Sequence, residues 1–151
     1  MTDTLPDAST NAVRVLTRDQ CVQLLAAHSF GRLAVTMDTP VIRPVNYAFD
    51  ERSQSVVFRT AAGSKFHALL LQANAAFEID GIDAAARTGW SVIIIGMAEE
   101  ITNASEIRRL ERLGLDHWAP GAKPYWMRIR AWTVTGREIV AERHAAPSEP
   151  A

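Results

Sequence analysis

Between Ser55 and Leu70 the chain changes from strand-like to helix-like sequence, and that change limits what can be built around it. Val56, Val57 and Phe58 favour a strand. Ala61, Ala62 and Gly63 make a small-residue turn where backbone can come close to a neighbour. Ser64 suits a helix N-cap, because its hydroxyl can accept from a free amide of the first turn. Phe66, Leu69, Leu70 and Ala73 then recur at helical spacing and form one apolar face. Such a junction leaves free N–H groups and a partial positive charge, a setting for an anion. Arg59, Thr60, Ser64 and Lys65 put donors around it, and Lys65 is one of only two lysines in the chain. The expectation is a phosphate held at this turn. Against it, most strand–turn–helix junctions bind nothing, and the stretch matches neither the Walker A spacing nor Gly-x-Gly-x-x-Gly.

The rest of the sequence narrows the classes. At 151 residues, 48% hydrophobic, it has material for one domain with a real core. The expected domain runs from 12 to 142, with flexible tails at 1–11 and 143–151. Net charge is −1 with no basic block, which argues against a general nucleic-acid binder. One cysteine, Cys21, excludes an internal disulfide. His28, His67, His117 and His144 lack metal-ligand spacing and are expected at the surface or at helix ends. The longest apolar run, Val92 to Ile95, is too short to span a membrane. The polar first dozen residues carry no secretory pattern. A soluble, cytoplasmic protein without a membrane partner is expected.

Along the chain, Thr17 with Gln20 forms a capping-box pattern. Cys21, Leu24, Leu25 and His28 follow on one helical face, to an end near Ser29. Phe30–Met37 and Val41–Phe49 read as a hairpin around Asp38-Thr39-Pro40. In the second strand Val41, Arg43, Val45, Tyr47 and Phe49 share a face. Pro44 cannot donate a ladder bond, so it marks a sheet edge or a bulge, or a gap where a flat ligand lies against backbone. Asn74–Asp83 reads as a strand with Phe77 and Ile79 inward. Trp90–Ala98 is apolar on both faces, hence central or at a subunit interface, with Glu99-Glu100 at its exit. Thr102 or Asn103 caps a helix with Ile107, Leu110 and Leu113 inward and Arg108, Arg109 and Arg112 solvated. Leu115–Tyr125 is an irregular loop. Met127–Thr135 is a strand in which Trp126, Arg128, Arg130 and Trp132 share a face. That face either stacks an anionic aromatic ligand or has arginines covering tryptophans. Gly136-Arg137 turns into a short last strand, Glu138–Glu142. Six or seven strands joined by hairpins, with three short helices, suggest an antiparallel barrel with helices packed on it.

The sequence holds no nucleophile elbow, no Cys/His pair and no metal cluster. Chemistry on this chain would therefore come from a bound cofactor. Phe30-Gly31-Arg32-Leu33-Ala34, Arg43-Pro44-Val45-Asn46-Tyr47, Phe58-Arg59-Thr60 to Gly63-Ser64-Lys65, Gly89-Trp90-Ser91-Val92 to Gly96, and Trp118-Ala119-Pro120-Gly121 to Trp126-Met127-Arg128-Ile129 follow one another in an order that resembles the pyridoxamine 5′-phosphate oxidase-like, flavin-binding split-barrel family. The resemblance covers residues 15 to 140.

The resemblance implies a mainly β, antiparallel split barrel and a homodimer with flavin at the interface. It implies FMN, with Arg59, Thr60, Ser64 and Lys65 on the phosphate and ribityl chain. Arg43, Pro44, Val45 and Asn46 match the strand along the isoalloxazine ring. Trp90 and Ser91 match a strand contributed by the partner subunit, and Trp126 and Arg128 a last segment near the ring. The implied activity is an FMN-dependent oxidoreductase on a small planar or electron-poor substrate, with no side chain assigned as catalytic. Two alternatives share the scaffold. One is a deazaflavin-dependent reductase, with Lys123, Arg128 and Arg130 toward a longer anionic tail. The other is a non-catalytic flavin or haem binder, for which His67 and His117 are nominal iron ligands and solvated histidines the plainer reading. The basic C-terminal substrate segment of true pyridoxamine phosphate oxidases is missing, so pyridoxal phosphate synthesis is not implied.

Overall fold

A computed structural model describes residues 11–36, 38–61, 65–71 and 74–142. In chain order the elements are β1 (Asn11–Val15), α1 (Arg18–Ala27), β2 (Phe30–Thr36), β3 (Pro40–Asn46), β4 (Ala48–Asp50), β5 (Ser55–Thr60), α2 (Lys65–Leu70), β6 (Asn74–Asp83), β7 (Thr88–Ile101), α3 (Ala104–Glu111), β8 (Tyr125–Arg130) and β9 (Thr133–Ala141). Every strand pairing is antiparallel. The mainly β barrel with packed helices is therefore as expected, with nine strands among the described residues rather than six or seven.

β7 is the spine. One edge pairs with β6 from Thr88 to Met97. Its other edge pairs with β9 from Gly89 to Ile95, then with β8 from Ala98 to Ile101. The strand thus passes from one sheet into the other, and the barrel is split where β9 gives way to β8. Trp90–Ala98 is central, one of the two places its apolarity allowed, and its outer face stays open at Ile93, Ile95 and Met97. Glu99 and Glu100 lie inside the strand rather than at its exit, because the β8 ladder carries it on to Ile101.

The core fills the barrel with alternate residues: Leu33 and Val35, Val56 and Phe58, Phe77 and Ile79, Val92 and Ile94, Met127 and Ile129. Each contributes on the order of 1.5–3 kcal/mol on burial. α1 closes one end with Cys21 and Leu25, held by the Thr17–Gln20 capping box. Burial pushes the Cys21 thiol pKa up.

The Val41–Phe49 expectation fails at Tyr47. Its amide donates to Ser29 O at 2.9 Å, its hydroxyl to Leu25 O at 2.7 Å, and its ring meets Phe77 edge-on. There the chain leaves β2 and, as β4, pairs with β5. The alternation of side chains continues through this corner, so the pattern could not show the change of partner. Three further strand limits differ from expectation. Asn11–Val15 is a strand, paired with β9. Met127–Thr135 is two strands broken at Ala131 and Trp132, and Gly136 and Arg137 lie within β9 rather than in a turn. The rest of the expected tails lies outside the described residues.

Gly136 is where α1 presses on β9. A Cβ there would sit 2.5 Å from Cys21 Sγ and 3.1 Å from Leu16 Cδ1. Gly136→Ala is expected to cost about 1–3 kcal/mol by overpacking, seen as a lower denaturant midpoint with an unchanged slope. Adding Cys21→Ala should recover part of the loss. A midpoint equal to wild type would contradict this packing.

Candidate functional site

β3 is an edge strand, pairing among the described residues only with β2. The register Phe30↔Asn46 to Thr36↔Pro40 is unbroken, and the Tyr47 amide continues it onto Ser29. Antiparallel ladders alternate, so the amide positions of residues 40, 42, 44 and 46 face away from β2. Both Pro40 and Pro44 occupy such positions, where a missing N–H costs no ladder bond. The edge reading of Pro44 is correct, and two prolines blunt the edge against pairing.

At the end of this edge lies a recess of about 90 Å³ lined by Pro44, Val45, Asn46, Arg59, Leu115, His117, Ala119 and Lys123. Four residues expected at FMN thus meet here, Pro44, Val45, Asn46 and Arg59, beside Lys123 and His117, which were named for the alternative cofactors. The wall opposite β3 is the loop after α3. Gly114, at φ 70°, turns the chain out of that helix. Asn46 Oδ1 then accepts from the Trp118 amide at 3.0 Å, and the Trp118 ring stacks on Phe30 at 5.6 Å. Sequence reasoning did not bring Leu115, His117 and Ala119 to the edge strand, since an irregular loop carries no periodicity to place it.

Two nitrogens of residues lining this recess are buried and, among the described residues, have no hydrogen-bond partner: Arg59 Nε and His117 Nδ1. Arg59 faces Trp126 across the β5–β8 ladder, its guanidinium carbon 5.0 Å from the indole centroid. A buried donor left unmatched costs about 1–3 kcal/mol, so a site that keeps one beside an open recess is suited to an acceptor from outside. The recess is below the roughly 300–1,000 Å³ of ordinary ligand pockets. It fits a phosphate or part of a chain, and a flat ring would have to extend outside it along β3.

Next to Arg59, Thr60 Oγ1 lies 2.8 Å from His67 Nδ1, which ties the end of β5 to α2. The imidazole stacks on Tyr125 at 4.1 Å, with Nε2 3.5 Å from Glu100. His67 is enclosed rather than solvated: its side chain is 12% exposed, because the Tyr125 ring covers it. Lys65 opens α2 as expected, without a described side chain. Ser64 lies outside the described residues.

The other expected residues are elsewhere. Arg43 is exposed on β3. Ser91 on β7 is three strands from Asn46, roughly 14 Å at about 4.8 Å per strand. Trp90 points to the opposite face, where its indole covers Gly81 and meets His28 at 4.8 Å. Trp126 is 5% exposed and packs with Val57, Ile101 and Leu110 under α3. Arg128 lies beside it, paired with Glu106 and Glu99. The expected covering of tryptophans by arginines of this face is not found: Arg59, from β5, lies over Trp126, and Trp132 is 77% exposed with Arg130 6.0 Å from its ring centroid.

α3 also departs from expectation. Asn103 caps it, and Ile107 and Leu110 face inward, but Leu113 is 40% exposed because the helix has already ended. Arg109 is not simply solvated. It forks onto Asp50 at 2.7 and 2.9 Å. Asp50 is 1% exposed. Burial alone would raise its carboxyl pKa, but Arg109 and Ser53 outweigh that and hold it at about 2.

The outer face of the larger sheet is apolar along one row. Ile42, Ala34, Ala76 and Ile95 lie side by side across β3, β2, β6 and β7. Ile42 is 65% exposed and Ile95 53%, with Ile93 and Met97 beside it also open. Arg32, Glu78 and Asp80 form an ion-paired cluster on the same face.

Comparison with known proteins gives a consistent family. The family model described as pyridoxamine 5′-phosphate oxidase matches residues 17–138. An uncharacterized protein of Mycobacterium tuberculosis is 37% identical over 141 residues, covering 89% of this chain and 90% of that protein. The structure of an FAD binding protein from Mycobacterium smegmatis is 31% identical, with a TM-score of 0.71, over 83% of this chain and 98% of that one. An FAD-binding protein from Mesorhizobium loti is 27% identical, with a TM-score of 0.67, over 83% and 97%. Among the described residues no helix is long and apolar enough to cross a membrane.

Proposed function

The chain belongs to the pyridoxamine 5′-phosphate oxidase family, and on that premise we propose that it is a flavin-dependent oxidoreductase holding its cofactor's phosphate beside Arg59. The observation that carries this reading is the pair of unpartnered buried nitrogens, Arg59 Nε and His117 Nδ1, lining one recess on a blunted sheet edge. A bound flavin would supply the two-electron redox chemistry that the side chains cannot. The protein's part is placement. Arg59 gives charge and donors to the phosphate, braced by its stack on Trp126. Thr60 is fixed by His67 at the adjoining strand end. Pro44, Val45 and Asn46 offer a flat edge for the ring, with Asn46 also holding the Trp118 loop in place.

FMN is the first reading, since these donors account for a single phosphate. FAD is the second, favoured by the 31% identical FAD binding protein. A homodimer completes the proposal. The recess is too small to enclose a ring, and the exposed row from Ile42 to Ile95 is an apolar surface suited to a second copy, which would bring Ser91 toward the partner's edge strand.

Anaerobic addition of reduced nicotinamide to the flavin-loaded protein tests the oxidoreductase reading. Loss of oxidised-flavin absorbance, and its return when a small electron acceptor is added, is the expected result. A loaded protein whose flavin neither NADH nor NADPH reduces would contradict it.

A further inference from the structure

Beside α3 lies another concavity, of about 680 Å³, lined by five arginines: Arg52, Arg109, Arg112, Arg128 and Arg130. We propose that this groove is a separate binding site for a small polyanion of linked phosphates, of di- or triphosphate type.

The charge count is the first support. The carboxylates within ion-pair distance of these arginines are Asp50, Glu99 and Glu106. Five guanidinium groups against three carboxylates leave two cations over. Those two are identifiable, because Arg52 and Arg112 are exposed and pair with no carboxylate among the described residues. Like charges gathered in one concavity repel, and a bound anion removes that cost.

The second support is inside the groove. Arg128 is 9% exposed, yet among the described residues its Nε makes no hydrogen bond. Glu99 lies 3.5 Å from that nitrogen, near enough for charge attraction but not for a bond. The Asp50–Arg109 fork fixes the floor.

Shape indicates the ligand class. Ser105, Arg109 and Arg112 follow at i, i+4 and i+7 along one flank of α3. That stripe is roughly 10 Å long at 1.5 Å per residue, which suits a chain of phosphates better than one. No aromatic side chain lines the groove, so the phosphates rather than a base carry recognition. Arginine's planar fork matches phosphate oxygens.

Calorimetric titration of the purified full chain with sodium tripolyphosphate, at physiological ionic strength, tests this. Saturable binding at one site per chain is expected, with orthophosphate at least tenfold weaker. Arg52→Ala/Arg112→Ala, which touches neither the core nor an ion pair, should lower tripolyphosphate affinity at least tenfold. Arg14→Ala/Arg18→Ala removes the same charge elsewhere and should leave affinity as in wild type. ATP binding as tightly as tripolyphosphate would support a site for the phosphate chain alone, and tighter ATP binding a site for nucleotides. No saturable heat, or equal loss in both double variants, would overturn the proposal.

Discussion

Arg109→Met is expected to destabilise the folded chain by about 3–5 kcal/mol, the largest effect of any single exposed-helix substitution here. The cause is not the loss of a surface contact. Asp50 sits at the end of β4 with 1% exposure, and Arg109 supplies both bonds that fork onto it. Methionine keeps the length of the side chain and strips the charge, leaving a buried carboxylate without its counter-ion. For a chain of this size the melting temperature should fall by roughly 10 °C. Asp50→Asn with Arg109→Met should recover much of the loss, because neither partner is then left charged. Equal destabilisation in the single and double variants would show that the pair is not the cause.

The same pair sets a pH dependence. The folded carboxyl titrates at about 2, below its ordinary value of 3.8. A lowered pKa means that the stabilisation is complete above the ordinary value and fades as pH falls through the folded one. Unfolding free energy should therefore drop by about 2 kcal/mol from this group between roughly pH 4 and pH 2. In Arg109→Met that decline should vanish from the profile.

The second large effect belongs to the ligand. Arg59→Ala is expected to weaken flavin binding roughly tenfold to a hundredfold, the worth of about 1.5–3 kcal/mol for a bond to a charged group. Stability should change little, since among the described residues Arg59 has no ion pair and it lies over the Trp126 ring. Arg59→Lys should restore affinity only in part, because an ammonium neither stacks as a plane nor forks onto a phosphate. Titration followed by flavin fluorescence reads all three proteins. An unchanged dissociation constant in Arg59→Ala would remove the phosphate from this recess.

Much of the scaffold was legible because burial follows simple periods. Phe77 and Ile79, Val92 and Ile94, and the Thr17–Gln20 box were readable residue by residue. What was hidden depends on pairing at a distance. Tyr47 keeps the strand alternation while the backbone changes partner from β2 to β5, and no local pattern records that. Arg109 looks like a solvated helix residue until β4 delivers Asp50 beneath it. Asn11–Val15 becomes a strand only because β9 offers it an edge.

The candidate site was legible in the same uneven way. Pro44, Val45, Asn46 and Arg59 could be named from sequence, and they meet in one recess. Arg128 shares a strand face with Trp126, but Glu106 and Glu99 draw it under α3. His117 reaches the recess because the Trp118 amide is tied to Asn46, 72 residues away in the chain. Ser91 lies three strands away from Asn46 across the sheet.

The most direct measurement is an absorption spectrum of the freshly purified protein, followed by mass spectrometry of the small molecule that denaturation releases. Oxidised-flavin bands with a released mass equal to FMN or FAD are the predicted result, and the mass decides between the two flavins. A protein that releases no flavin, and takes up neither FMN nor FAD on titration while binding a deazaflavin or haem, would contradict the central claim.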